Sequence, residues 1–224
     1  MIDLLYLTFN RLEFTKRSLS SLLANTNWSL VNRLVIYDDG STDGTLEQAA
    51  AVSCPKPVEI RAGSYGSPVA IMNDFLDRDP AALFAKIDND VMLPSGWLDE
   101  TAAVMQANPA LDLLGIEAMY EVAPVSPDRA VIPAEFIGGI GLMRSRAFNC
   151  DRPIAAGRFG FTAWQSQHPQ VNKGWLSPAL PVCLLDRMPF APWSVLSADY
   201  IARGWQRPWG AYGEGQSALW EWWQ

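Results

Sequence analysis

Apolar segments of strand length alternate with helix-favouring segments through residues 1–90. Four segments are typical of buried strands, at residues 4–9, 33–37, 58–60 and 82–87. Three others favour helices, at residues 14–23, at residues 45–52, and from Pro68 to Leu76 behind a Ser67 cap. Because strands that alternate with helices pair in parallel, the pattern predicts an α/β fold with a mostly parallel central sheet and helices on both faces.

Composition narrows the class of protein. A chain of 224 residues, 49% of them hydrophobic, can bury a substantial core as one domain. Its formal net charge is −7, and the sequence contains no cluster of basic residues. Because a nucleic-acid binder needs a clustered basic face, nucleic acid is not an expected partner.

The cysteines and the first residues bear on location. Cys54, Cys150 and Cys183 lie far apart without the spacing of a zinc site, which predicts reduced thiols in a cytoplasmic protein. The N-terminal segment lacks the basic and long apolar regions of a signal peptide, and no apolar run reaches the length of a membrane span. We expect neither a signal peptide nor a transmembrane helix.

Polar side chains follow three of the four predicted strands. They are Thr8, Asn10 and Arg11 after the first, Asp38 and Asp39 after the second, and Asp88, Asn89 and Asp90 after the fourth. Because ligands bind at the carboxyl ends of parallel strands, these acids should share one edge, where they would repel without a cation or donors between them. Mg²⁺ or Mn²⁺ suits the "DND" acids, and a base N–H or ribose hydroxyl suits Asp39. The pattern predicts a nucleotide-diphosphate site.

Less specific interpretations exist for each motif. "DDGSTDGT" partly imitates a calcium loop, but Ala50 stands where the loop requires a bidentate glutamate. The same letters are common in solvated turns. A short acidic triplet such as "DND" also occurs by chance on many surfaces, so its position after an apolar strand gives it weight.

Several motifs in order resemble those of the family 2 glycosyltransferases with the GT-A fold. They are "YLTFNR", "VIYDDGSTDGT" and "KIDNDVMLPSGWL", followed by "FIGGIGLMRSRAF" (136–148), which is similar to the family's Gly-Gly acceptor-side strand and following helix. The resemblance covers residues 2–150. It implies a GT-A type, Rossmann-like fold with residues 1–105 as the nucleotide-sugar-binding half. Residues 106–224 would form the acceptor-binding half and an irregular Trp-rich C-terminal lobe, all in one compact domain.

The resemblance implies a role for each polar residue at the edge. The nucleotide-binding set would be Thr8, Phe9, Asn10, Arg11, Asp38, Asp39, Asn73 and Asp88. Within it, Phe9 lies beside the base, Asp39 holds the base and Asp88 faces the sugar or ribose. Asp90, with Asp88, would bind Mn²⁺ or Mg²⁺. Met72 stands where an arginine usually precedes Asn73, so one phosphate contact differs from the family pattern.

The implied activity is inverting transfer of a sugar from a UDP- or GDP-sugar to a hydroxyl of a glycan, lipid or small molecule. The cation would absorb the charge of the leaving diphosphate. Gly138, Gly139 and Trp164 would line the acceptor site. Glycine lets a substrate approach the backbone closely, and indole stacks on the apolar faces of sugars.

The catalytic base departs from the family pattern. Counting back from Gly174-Trp175 places the family's Glu-Asp pair at Thr162-Ala163, where this chain has no acid. Asp186 or His168 could supply the base instead. Alternatively the alignment slips in this region, or Ala163 replaces an acid and leaves an enzyme that turns over slowly.

The last third of the chain is rich in tryptophan. Eight of the ten tryptophans lie between Trp164 and Trp223, where most are expected to pack an irregular lobe and one or two to stack on an acceptor. The terminal "ALWEWW" indicates a subunit contact in a homo-oligomer or, at most, peripheral membrane contact, since basic companions are missing.

Two other functions remain open. A nucleotidyltransferase would need a Gly-rich basic loop after the first strand, and "TFNRLEFTKR" contains no glycine. A non-catalytic sugar-nucleotide or glycan-binding relative would lack an acid at residues 162–163, as this chain does.

Overall fold

The computed structural model describes residues 1–116, 130–149, 151–153 and 160–185. The strands are β1 (Ile2–Thr8), β2 (Val31–Asp38), β3 (Val58–Ala62), β4 (Leu83–Asp88), β5 (Val91–Met92), β6 (Leu113–Gly115), β7 (Ala130–Pro133), β8 (Gly141–Arg144), β9 (Lys173–Ser177) and β10 (Cys183–Leu184). The α-helices are α1 (Leu12–Asn25), α2 (Thr45–Ala50), α3 (Pro68–Leu76), α4 (Trp97–Ala107) and α5 (Gly160–Gln167). Short 3-10 helices lie at Trp28–Leu30 and Ser145–Phe148.

Eight strands form one central sheet in the order β3-β2-β1-β4-β8-β6-β9-β7. Strands β1 to β4 pair in parallel, as the alternating pattern predicts. Strand β8 runs antiparallel to both β4 and β6, and β7 runs antiparallel to β9. The first half of the chain therefore builds a parallel layer, and the second half extends it as a mixed sheet.

The two faces of the sheet carry separate apolar clusters. Leu4 and Tyr6 of β1 face one side with Leu19 of α1, whereas Leu5 and Leu7 face the other. Successive strand residues point to opposite faces, so a strand covered on both sides is mostly apolar. Every residue of β1 is buried. The strand ends are thus anchored in a core, which fixes the loops that follow them.

Helix α3 begins as the sequence predicts. The Ser67 hydroxyl accepts a hydrogen bond from the backbone N–H of Ala70 at 3.1 Å, and Pro68 is the first helical residue. A capping oxygen satisfies an N–H that has no partner within the helix, and proline there loses nothing.

The Gly-Gly segment differs from the expected strand and helix. Strand β8 begins at Gly141, after Gly138 and Gly139, and a short 3-10 helix follows it. The ladder with β4 starts where Gly141 pairs with Lys86. The glycine pair therefore lies in the approach to the strand.

The remaining expectations concern the cysteines, the Trp-rich C-terminal segment and membrane-spanning helices. Cys54 and Cys183 are not disulfide-bonded, and Cys150 lies outside the described residues. The Trp-rich segment from residue 186 onward also lies outside them. Within the described part of the chain, no helix is both long and apolar enough to cross a membrane.

Candidate functional site

The polar ends of β1, β2 and β4 lie side by side. Thr8 of β1 is in register with Asp38 of β2, and Leu7 is in register with Asp88 of β4. The sequence predicted that these three clusters would share one edge. Their adjacency follows from the parallel pairing, because parallel strands end on the same side of a sheet.

The loop after β1 is fastened to the loop after β2. Asn10 and Arg11 both adopt left-handed backbone conformations, with φ of 51° and 65°. The Asn10 N–H donates to the Ser41 hydroxyl at 2.7 Å, and the Asn10 side-chain oxygen accepts from the Thr42 N–H at 2.9 Å. Such conformations cost free energy in non-glycine residues, so these contacts must hold them in place.

Asn89, the middle residue of "DND", contacts the loop after β1. Its side-chain amide lies within hydrogen-bond distance of the Asn10 carbonyl and the Thr15 hydroxyl, both at 2.9 Å, and of the Thr8 hydroxyl at 3.3 Å. Asn89 is only 7% exposed. The sequence motifs predict no role for Asn89. Its signal was an uncharged amide between two acids at a strand end.

Each acid of "DND" contacts a basic side chain. Asp88 Oδ1 accepts from the Lys86 ammonium at 2.6 Å, and Asp90 Oδ2 accepts from the Arg11 guanidinium at 3.0 Å. The repulsion expected between the acids at this edge is therefore offset by two cationic side chains of the protein, Lys86 and Arg11. Lys86 was missed, although a lysine within an apolar strand is an unusual feature.

Asp38 and Asp39 have different surroundings. Asp38 is fully buried, and its Oδ1 accepts from the N–H groups of Gly40 and Ser41 at 3.1 and 2.8 Å, which fixes the turn after β2. Its Oδ2 is buried without a hydrogen-bond partner among the described residues. Asp39 is partly exposed, and its Oδ1 accepts from the N–H of Gly66 at 2.8 Å.

Asp39 thereby joins β2 to the loop before α3 and lies close to the end of β1. Its Oδ1 also accepts from the Tyr65 N–H, and its own N–H donates to the Thr8 carbonyl at 3.0 Å. Phe9 follows directly and is 51% exposed, which is unusual for a large apolar side chain at the end of a buried strand. A half-exposed ring and a carboxylate at the same edge of the sheet can bind a planar group that carries an N–H.

Met72 and Asn73 face different surroundings in α3. Met72 is 1% exposed and packs in the apolar cluster, so this position serves the core in this chain. The Asn73 side-chain N–H donates to the Pro153 carbonyl at 2.8 Å, and its Oδ1 is buried without a partner among the described residues. Asn73 therefore ties α3 to residues 151–153.

Gly139 and α5 approach the same region from the second half of the chain. A Cβ on Gly139 would lie 3.3 Å from Lys86 Nζ and 3.7 Å from Asp88 Oδ2. The Gln165 side chain of α5 bonds both the N–H and the carbonyl of Ile137, at 2.8 and 3.1 Å. The Gly-Gly segment thus reaches the "DND" turn, and α5 lies against Ile137, directly before that segment.

Trp164 and His168 belong to an aromatic stack in α5. Trp164 is 3% exposed, with its ring centroid 5.0 Å from that of Phe148. His168 stacks on it at 4.7 Å, and its Nδ1 donates to the Trp164 carbonyl at 2.7 Å. His168 Nε2 lies 3.6 Å from Asp151 Oδ2. Packing accounts for both residues, and their proposed acceptor and base roles remain predictions.

The other positions considered for the catalytic base are Thr162, Ala163 and Asp186. Ala163 is exposed on α5 and Thr162 is partly exposed. Asp186 lies outside the described residues. Among those that are described, no three His, Cys, Asp or Glu side chains are grouped closely enough to hold a metal ion by themselves.

Solved structures with a similar fold come from S. aureus TarS. The TarS 1–349 structure has a TM-score of 0.60 at 16% sequence identity and covers 80% of this chain and 58% of its own. Its complex with UDP has a TM-score of 0.64 at 15% identity and covers 80% and 59%. Its complex with UDP-GlcNAc has a TM-score of 0.60 at 14% identity and covers 80% and 56%. This chain therefore spans less than two thirds of the TarS chains it matches.

The sequence comparisons give the family directly. A comparison with curated protein sequences gave no match. The family model described as glycosyl transferase family 2 matches residues 6–130, which is more than half of the chain and includes the end of β1, all of β2 to β6 and the "DND" turn. The chain belongs to glycosyl transferase family 2 and has its GT-A fold.

Proposed function

We propose that this chain transfers a sugar from a nucleoside-diphosphate sugar to an acceptor hydroxyl, with inversion at the anomeric carbon. The observation that carries this proposal is the convergence of Phe9, Asp39 and the "DND" acids at one edge of a family 2 fold. The TarS structures in complex with UDP and with UDP-GlcNAc support a UDP-sugar as the first donor to test. Residues 1–105 would bind the donor and residues 106–224 the acceptor.

The donor contacts follow from exposure and charge. The half-exposed ring of Phe9 stacks on the base, and Asp39 Oδ2 accepts the ring N–H while Oδ1 keeps the loop before α3 in place. Arg11 lies at the same edge and attracts the diphosphate. Asp88 faces the sugar. Asp38, Asn10 and Thr8 support these residues from the loops beneath.

A divalent cation fits the chemistry of the "DND" acids. The Asp88 and Asp90 side chains are 32% and 19% exposed, and their oxygens are the hard ligands that Mg²⁺ and Mn²⁺ prefer. Two carboxylates leave room in the coordination sphere for water and phosphate oxygens. When bound, the cation would neutralise charge that develops on the leaving diphosphate.

The transfer itself needs a group that accepts a proton. The acceptor oxygen forms a bond to the anomeric carbon as the bond from that carbon to the diphosphate oxygen breaks, and the hydroxyl proton passes to a base. Asp186 and His168 are the candidates in the chain. For His168 this would require release of the contact to Asp151 or to the Trp164 carbonyl.

Titration calorimetry with UDP and GDP, each with Mn²⁺ or with a chelator, tests the donor half of the proposal. We expect one nucleoside diphosphate to bind, and to bind more tightly with Mn²⁺. Binding of neither nucleotide under either condition would refute the proposed function.

A second function is favoured by one observation, the exposed methyl of Ala163 where the family places an acid. The chain would then bind a sugar nucleotide without transferring its sugar. Tight binding of a UDP- or GDP-sugar with no release of nucleoside diphosphate in the presence of any tested acceptor would favour this binder over the enzyme.

A further inference from the structure

Lys86 is a buried cation in the middle of an apolar layer. It lies on β4, and its side chain is 5% exposed. Its strand neighbours Ala85 and Ile87 pack on the opposite face of the sheet. Phe84, which shares the face of Lys86 because strand residues alternate, belongs to the second apolar cluster.

A buried ammonium needs a partner of opposite charge, because removing an unpaired charge from water costs several kcal/mol of free energy. Among the described residues, Asp88 is the partner that hydrogen-bonds to it, at 2.6 Å. A lysine ammonium carries three N–H donors. The single contact therefore leaves donors on Lys86 beside the candidate donor site.

Gly139 leaves the ion pair open on one side. A side chain there would begin 3.3 Å from Lys86 Nζ and 3.7 Å from Asp88 Oδ2, which is close enough to cover both groups. Asp88 Oδ1 faces Lys86, and no described residue hydrogen-bonds to Oδ2. The space above Gly139 is thus bordered by one fixed ammonium and one carboxylate oxygen that is free to accept.

We propose that Lys86 is a positioning residue for the donor sugar. Its ammonium holds Asp88 through Oδ1, so that Oδ2 points over Gly139 and accepts a hydrogen bond from a sugar hydroxyl. The same ammonium offsets the Asp88 charge, which would otherwise repel the diphosphate of the donor. This inference rests on the proposed function, and it adds a residue outside "DND" to the donor site.

Lys86→Met tests the proposal because it should lower the rate of sugar release without changing the affinity for the nucleotide. The substitution keeps the length of the side chain and removes its charge and donors. We expect the kcat for hydrolysis of UDP-GlcNAc to fall about ten- to a hundredfold, the cost of a lost hydrogen bond to a charged group. The affinity for UMP, which lacks the transferred GlcNAc and the second phosphate, should stay within about twofold of the wild-type value.

A double-mutant cycle with Asp88→Asn shows whether Lys86 acts through Asp88. If it does, Lys86→Met should cause little further loss in the Asp88→Asn background. Arg33→Met is the matched control, because it also removes a basic side chain from an ion pair with an aspartate. Arg33 pairs with the buried Asp3 at 3.0 Å, near the start of β1. We expect that variant to lose stability and to keep the kcat.

Gly139→Ala provides an independent readout if Lys86→Met fails to fold. The added methyl leaves both charges in place but fills the space over them, so hydrolysis should fall while UMP affinity holds. Wild-type rates in Gly139→Ala or in Lys86→Met would overturn the inference, as would multiplying losses in the cycle. A wild-type chain that binds neither UDP nor GDP would refute the proposed function and the inference with it.

Discussion

Asp39 and Asp90 lie at the same edge of the sheet, but their partners differ in kind. Asp39 accepts from backbone N–H groups of the loop before α3, whereas Asp90 pairs with the Arg11 guanidinium. Asp39 is therefore held in a neutral setting suited to a base. Asp90 lies among charges, where a cation and a diphosphate would bind.

This difference predicts a division of roles. Asp39→Asn keeps an oxygen for the loop contacts but removes the charge, and it should weaken UDP binding about tenfold with or without Mn²⁺. Asp90→Ala should remove only the Mn²⁺-dependent part. Calorimetry with Mn²⁺ and with a chelator measures both, and equal losses that do not depend on the metal would contradict this assignment.

Ala163 allows a gain of function to be tested. It is exposed on α5, the helix that lies against the segment before Gly138. If its position is that of the family's base, Ala163→Asp should raise turnover by up to roughly 10²–10⁴-fold, the contribution of a well-placed base. An unchanged rate, combined with loss of activity in His168→Ala or Asp186→Ala, would place the base elsewhere.

At the scale of elements, one amide joins the "DND" turn to the loop after β1 and to α1. Because Asn89 is buried and its side-chain N–H₂ lies within hydrogen-bond distance of three groups, Asn89→Ala should lower the free energy of unfolding by about 1–3 kcal/mol, the cost of leaving buried polar groups unpaired. Chemical denaturation measures the change. Asn108→Ala, which removes an exposed bond to the Val104 carbonyl, is the control and should cost much less.

Asp43 links the start of α1 to α2 and makes that link sensitive to acid. It accepts from the N–H groups of Leu12 at 2.9 Å and Thr45 at 3.1 Å. Partial burial raises the pKa of Asp43, but hydrogen bonds from Thr45 and Leu12 outweigh it and hold that pKa below its ordinary value.

A carboxylate with a lowered pKa contributes stability above its unfolded pKa and loses it as the pH falls through its folded pKa. The difference in unfolding free energy between the wild type and Asp43→Ala should therefore be largest near about pH 7 and shrink below about pH 4. Denaturation curves across this range measure it. A difference that stays constant with pH would mean that the Asp43 carboxylate has no electrostatic role.

At the scale of the whole molecule, local signals predicted the donor half well. The apolar runs predicted β1, β2 and β4 because most residues of these strands are buried. Ser67-Pro68 predicted the start of α3 because capping is local chemistry. Lys86 could not be predicted as a partner of Asp88. Its environment depends on Gly139, which reaches it from a distant part of the chain.

The second half was harder to predict for the same reason. Trp164 was predicted to line the acceptor site, and that role stays a prediction. Its burial against Phe148 arises from contacts between α5 and the segment after β8. Glycine pairs and aromatic residues carry weak periodic signals. Their positions are set by tertiary packing, which a local pattern does not record.

The central claim is that this family 2 chain transfers the sugar of a nucleotide sugar at the edge formed by β1, β2 and β4. Its most direct test is the release of UDP or GDP from a panel of UDP- and GDP-sugars by the purified wild-type chain with Mn²⁺, with Asp88→Asn as the paired variant. We predict release from at least one sugar nucleotide and a loss of about tenfold or more in Asp88→Asn. No release from any donor, or equal release by the wild type and the variant, would contradict the claim.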